Sequence, residues 1–200
     1  VRSKVYQEQG GMNKRKAGED FYFLQKIIEL GKFSELNTTT VFASARKSDR
    51  VPFGTGKAVN DIIESQQPYG FYNPKSFEQL STFFKGIEAF YQKSELEIKA
   101  IIRALPMEIS TYLIAYNWGP EIAVINKLTS DFSAFKKRFF RKFNAFQLIK
   151  CLHWLRDEHF ENVNAAQAIQ HLLKEIKVPY TNNQVENLKA LRAFDRNYQN

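Results

Sequence analysis

Five cations, Lys136, Lys137, Arg138, Arg141 and Lys142, fall within seven consecutive positions, and no acidic residue occurs between Asp131 and Asp157. Basic side chains this dense, with no carboxylate at i,i+4 to neutralise them, are suited to holding an anion: clustered carboxylates, nucleic-acid phosphates or an anionic surface. On a wheel of about 100° per residue, Phe132, Phe135, Phe139, Phe143 and Phe146 share an arc of about 80°. Lys137, Arg138 and Arg141 fall on the far side, and Lys136 and Lys142 flank the stripe. The phenylalanines are explained by burial, while the basic face has no local partner to explain it. Phe140 lies off the stripe, about 80° from Phe132, as a second packing contact or a surface aromatic.

Other constellations offer weaker chemistry. Gly54-Thr55-Gly56-Lys57 stands before a helix and suggests a phosphate loop, since backbone donors and a lysine suit an anion. The pattern lacks the glycine five positions before Gly56, where Val51 stands, and has Ala58 where Ser or Thr should follow the lysine. A loop-to-helix turn accounts for it. Cys151, His153, Asp157 and His159 share one helix, with His153 and Asp157 at i,i+4. Cys151 and His153 diverge by about 200° and His153 and His159 by about 240°, so neither a dyad nor a shared metal site is expected. Cys151 or Leu152 reads as core and Asp157 as the partner of a nearby cation. His171 stands isolated on its helix.

Tyr69, Phe71 and Tyr72 lie in a loop between Pro68 and Pro74, where they would close the core or stack on a ligand. The last two helices, joined through Val178-Pro179-Tyr180, have the connector of a helix-turn-helix. Asn182, Asn183, Gln184, Asn187, Lys189 and Arg192 on its second half could read bases.

The elements that position these groups are helical throughout. The chain has 200 residues, 44% hydrophobic and 14% aromatic, with 18 Phe, which is ample for a core and excludes wholesale disorder. A basic arm spans 1–18, with little to bury. Phe21, Leu24, Ile27 and Ile28 mark a helix from Glu19 that stops at Gly31. Residues 33–56 are undecided between loop and a short element, and a helix follows from about Lys57 to Ser65. Asn73 with Pro74 opens the next, striped by Phe77, Leu80, Phe84, Ile87 and Tyr91 and widened by Phe83 and Phe90. Ser94 to Glu97 form a capping box, and Pro106 ends or bends the helix that follows. A helix through Tyr112 to Tyr116 is stopped by Trp118-Gly119-Pro120, and a short one follows from Ile122. Thr129-Ser130-Asp131 offer caps for a helix through about Asn144, and segments from Phe146 to about Phe160, Ala165 to Lys177 and Gln184 to Tyr198 complete the chain, with Thr181 and Gln184 as a capping box for the last.

The expected fold is all-α: a compact irregular or orthogonal bundle of about nine or ten short helices by the periodicity rule. Residues 19–66 form a subdomain or join 74–200 in one domain, and both readings stay open. One cysteine rules out an intrachain disulfide and a thiolate zinc cage, which fits a reducing compartment. No apolar run approaches the roughly 18 to 20 residues of a membrane span. The opening residue is Val1, which reads as an excerpt of a longer polypeptide, and abundant Lys, Asn, Gln, Ile and Phe fit an AT-rich source such as an intracellular bacterium.

The functional expectation is a non-enzymatic interaction module, such as part of a secreted bacterial effector. Its helix around Lys136 to Lys142 binds an acidic protein surface or other polyanion, without metal or cofactor. A nucleic-acid-binding domain using the same cations with Lys14, Arg15 and Lys16 is the alternative, and a helical enzyme or nucleotide-binding domain with a site assembled from distant helices is a third.

Overall fold

The computed structural model describes residues 1–14, 18–28, 30, 31, 34, 36, 38, 39, 41, 55–64 and 69–198. It divides the chain into two compact units, Val1–Tyr69 and Gly70–Asn200. Among the described residues every regular element is helical: eleven α-helices and one 3-10 turn.

In the first unit, α1 spans Ser3–Glu8, α2 Glu19–Ile28 and α3 Thr55–Glu64. The opening residues, expected to have little to bury, instead close onto α2. Tyr6 packs on Phe23 with ring centroids 5.2 Å apart, and its hydroxyl accepts a hydrogen bond from the Met12 amide at 3.2 Å. The Lys26 ammonium donates to the Gln9 carbonyl at 3.2 Å. Gly11, at φ +64°, lets the chain pass over that ring, because a Cβ there would sit 2.9 Å from the Tyr6 ring. The buried residue of α2 is Phe23, while Leu24 and Ile28 of the expected stripe are exposed. Most of the undecided stretch 33–56 lies outside the described residues, as do Arg15 and Lys16.

The second unit begins with α4 (Pro74–Lys85), capped by Asn73, whose side chain accepts from the Lys75 amide, with Pro74 at the first helical position. A 3-10 turn, Ile87–Phe90, leads to α5 (Glu95–Ala104). Ser94 and Glu97 complete the expected capping box. Then come α6 (Met107–Ala115), α7 (Trp118–Lys127), α8 (Phe132–Lys142), α9 (Ala145–Glu158), α10 (Ala165–Glu175) and α11 (Gln184–Asn197). Trp118-Gly119-Pro120 opens α7 instead of stopping α6. The break falls at Asn117, which adopts a left-handed φ of +56°. Proline is tolerated in a first turn, where its missing N–H has no intrahelical partner to lose.

One core cluster joins Leu80 and Phe83 of α4, Phe90 of the 3-10 turn, Ile98 and Ile102 of α5, Tyr112 of α6, Trp118 and Ile122 of α7, Phe135 and Phe139 of α8 and Leu155 of α9. Helix α6 lies against α4, α5, α7 and α9. Four of its nine residues are buried, as expected of a short helix that is apolar nearly all round. Burial of each such large apolar side chain contributes about 1.5 to 3 kcal/mol. The core face of α4 is Ser76, Leu80 and Phe83, while Phe77, expected in the stripe, is half exposed.

The hairpin of α10 and α11 joins this bundle through α4. Phe71 and Val163 exchange backbone hydrogen bonds, each of 2.9 Å, in an isolated antiparallel bridge. Gly70 allows that approach, since a Cβ there would meet Asn162 at 2.9 Å. The cap of α11 is Asn183, which accepts from the Val185 and Glu186 amides, so Thr181 does not form the expected capping box.

Candidate anion-binding face

The sequence of α8 makes a helix with two unlike sides. Asp131 caps it by accepting from the Ala134 amide at 2.8 Å, and Arg141 and Lys142 occupy the last turn, where the helix dipole favours cations. Phe135 and Phe139 are fully buried, and Phe143 is 3% exposed. The Phe139 and Phe143 rings lie parallel, 5.9 Å apart. Phe83 meets both edge-on, at 5.7 and 5.5 Å, and Trp118 covers Phe143 at 4.7 Å. This aromatic stack fixes the helix in rotation and so fixes where its cations point.

All five cations, Lys136, Lys137, Arg138, Arg141 and Lys142, are exposed, but they are not equivalent. The Lys142 ammonium is 3.0 Å from a carboxylate oxygen of Glu121 on α7, and Arg141 is also engaged. Lys136, Lys137 and Arg138 have no hydrogen bond or ion pair among the described residues. Phe140 is 36% exposed and rests against Phe84 of α4 at 5.4 Å. The sequence identified the cations but not Glu121, which lies on the preceding helix and reaches Lys142 only through the packing of α7 on α8.

The other candidates are dispersed. Gly54 lies outside the described residues, and Thr55, Gly56 and Lys57 form the first turn of α3. Cys151 is fully buried, and that burial pushes its thiol up to about 12, leaving no thiolate for nucleophilic work near neutral pH. Leu152 is buried beside it. Asp157 is held bidentately by Arg156, with nitrogen to oxygen distances of 2.6 and 3.0 Å, which lowers its carboxyl below the usual range. His153 faces Tyr72 at 6.0 Å, while His159 packs on Trp154 at 4.8 Å. His171 is not isolated: its Nε2 lies 3.3 Å from a Glu78 carboxylate oxygen. Among the described residues no group of three His, Cys, Asp or Glu side chains is placed to hold a metal ion.

Of the loop aromatics, Tyr72 packs against the core, whereas Tyr69 and Phe71 are exposed. Half of the base-reading set on the last hairpin, Asn183, Asn187 and Lys189, is occupied. Asn187 is 3% exposed and clamps the Thr181 backbone, accepting from its N–H and donating to its carbonyl, both at 2.8 Å. Asn183 caps α11, and Lys189 pairs with Glu186 at 3.0 Å.

No known family, curated protein or solved structure matches this chain. Among the described residues no helix is long and apolar enough to cross a membrane.

Proposed function

We propose that this chain is a non-enzymatic interaction module that binds an acidic protein surface through the outer face of α8. The observation that carries the reading is the trio Lys136, Lys137 and Arg138: consecutive, exposed, and without partners among the described residues, on a helix locked by buried phenylalanines. Because the backbone is already fixed, binding orders only side chains, which reduces its entropic cost. The cationic surface is short and bounded, with Lys142 neutralised by Glu121 and Asp131 at the other end of the helix. That extent fits a compact acidic epitope better than a continuous phosphate backbone. The same reading includes a place within a larger protein, such as a bacterial effector, in a reducing compartment. The single buried cysteine supports the compartment.

A second reading, nucleic-acid binding, has one observation in its favour: Phe140 stands part-exposed beside Lys136 and Lys137, where a base could stack. Fluorescence anisotropy separates the two. The probes are a labelled Asp/Glu-rich peptide, single-stranded RNA and duplex DNA, each titrated at about 50 and 200 mM salt. The acidic peptide is expected to saturate the chain, and Lys136→Glu, Lys137→Glu and Arg138→Glu together should abolish that binding. Saturation by RNA or DNA alone, lost steeply at the higher salt, would replace the first reading with the second.

A further inference from the structure

A valley on the opposite kind of surface, apolar and not basic, runs between α4 and α10. The two helices start side by side where Phe71 and Val163 exchange hydrogen bonds, and Asn73 and Asn164 cap them there. His171 and Glu78 touch farther along, at 3.3 Å. Advancing seven residues on one chain segment and eight on the other brings them into register, so the helices run in the same direction. Between them lies a groove of about 630 Å³, within the roughly 300 to 1,000 Å³ of ligand-binding sites. Its exposed apolar lining includes Phe71, Phe77 and Leu172, at 39%, 50% and 49% exposure.

We infer that this groove docks an amphipathic helix of a partner protein, one with acidic side chains along one flank of its apolar stripe and basic side chains along the other. Each wall is a straight helical face. Phe77, Ser81 and Lys85 at i, i+4, i+8 form one, and Ala168, Leu172 and Glu175 at i, i+4, i+7 form the other. At about 1.5 Å per residue each face is about 10 to 12 Å long, the reach of helical anchors at i, i+4 and i+7. An amphipathic helix lays its apolar face into a groove of this kind through anchors at that spacing. The charges select its flanks. Lys85 ends the α4 wall and Glu175 ends the α10 wall, and neither has a partner among the described residues. His171 and Glu78 already satisfy each other at mid-groove. A docked helix therefore meets a cation on one side and an anion on the other, which penalises flanks of a single sign.

The test uses the full chain and three synthetic helical peptides sharing one leucine stripe: flanks of Glu and Lys, flanks all Glu, and flanks all Lys. Titration is followed by fluorescence polarisation. The mixed peptide is expected to bind tightest to the parent chain. Lys85→Glu makes both walls acidic and should shift preference to the all-Lys peptide by about two- to fivefold, the scale of exposed ion pairs. Glu175→Lys should shift it equally toward the all-Glu peptide. Leu172→Asp, at a half-exposed position, should weaken all three by about tenfold, as expected for an interface anchor. An unchanged ranking across the variants, or full binding by Leu172→Asp, would overturn the inference. Every ranking is repeated with Lys136, Lys137 and Arg138 changed to Glu. Preserved binding there assigns it to the groove, and loss assigns it to α8 and rejects the groove.

Discussion

Individual side chains set the properties that are simplest to measure. Phe139 touches Phe83, Trp118, Phe135 and Phe143 within the core. Phe139→Ala should cost about 3 to 5 kcal/mol of unfolding free energy in urea titration. A loss under about 1 kcal/mol, the range of surface substitutions, would remove Phe139 from the core. Cys151 should resist alkylation by iodoacetamide at pH 8 in the native chain and react at once in denaturant, since burial both hides the thiol and raises its pKa. Glu97 behaves in the opposite sense. The Ser94 backbone N–H and hydroxyl, with Lys93, hold its carboxyl down to about 2 from the usual 4.5. A carboxyl depressed on folding stabilises the native state above its unfolded pKa, and that contribution declines as pH falls from about 4.5 toward 2. The stability gap between the parent chain and Glu97→Gln should therefore narrow steadily across that interval in thermal melts.

At the scale of elements, caps and connectors decide where each helix stops. Asn73 and Ser94 were legible as caps because a short polar side chain precedes a periodic apolar run, whereas for α8 the sequence offered Thr129, Ser130 and Asp131 alike and the structure uses Asp131. The end of α6 was not, because Trp118-Gly119-Pro120 reads equally as a terminator or as the first turn of a new helix, and only the αL residue Asn117 distinguishes them. Phe77 shows the same ambiguity on a wheel. It shares the apolar arc with Leu80 and Phe84, but α4 meets α10 as well as α6 and α9, and Phe77 falls on the groove lined by α4 and α10. Asn187 supports its own element. Replacing it by Ala strands the Thr181 N–H and carbonyl, at a cost of about 1 to 3 kcal/mol. Hydrogen exchange should show this as faster opening confined to residues 180–198.

For the whole molecule, among the described residues the core cluster lies entirely within Gly70–Asn200. A chain cut to residues 70–200 should melt cooperatively and keep the helical signal of that unit, read by circular dichroism. A broad, non-cooperative melt would show that the first unit is needed to complete it. The net charge of +8 sets the general attraction for anions, but it does not choose a surface.

The sequence alone determined the all-α class, most helix starts, the buried phenylalanine face of α8 and the position of the basic run, because apolar periodicity and capping act over a few residues. Tertiary structure decided which cations keep a free charge, that His171 meets Glu78, that Asn187 serves a backbone and not a ligand, and that α4 and α10 leave an apolar groove between them. Those outcomes depend on contacts between residues distant in the chain, such as Glu121 with Lys142 and Phe71 with Val163, which no local pattern encodes.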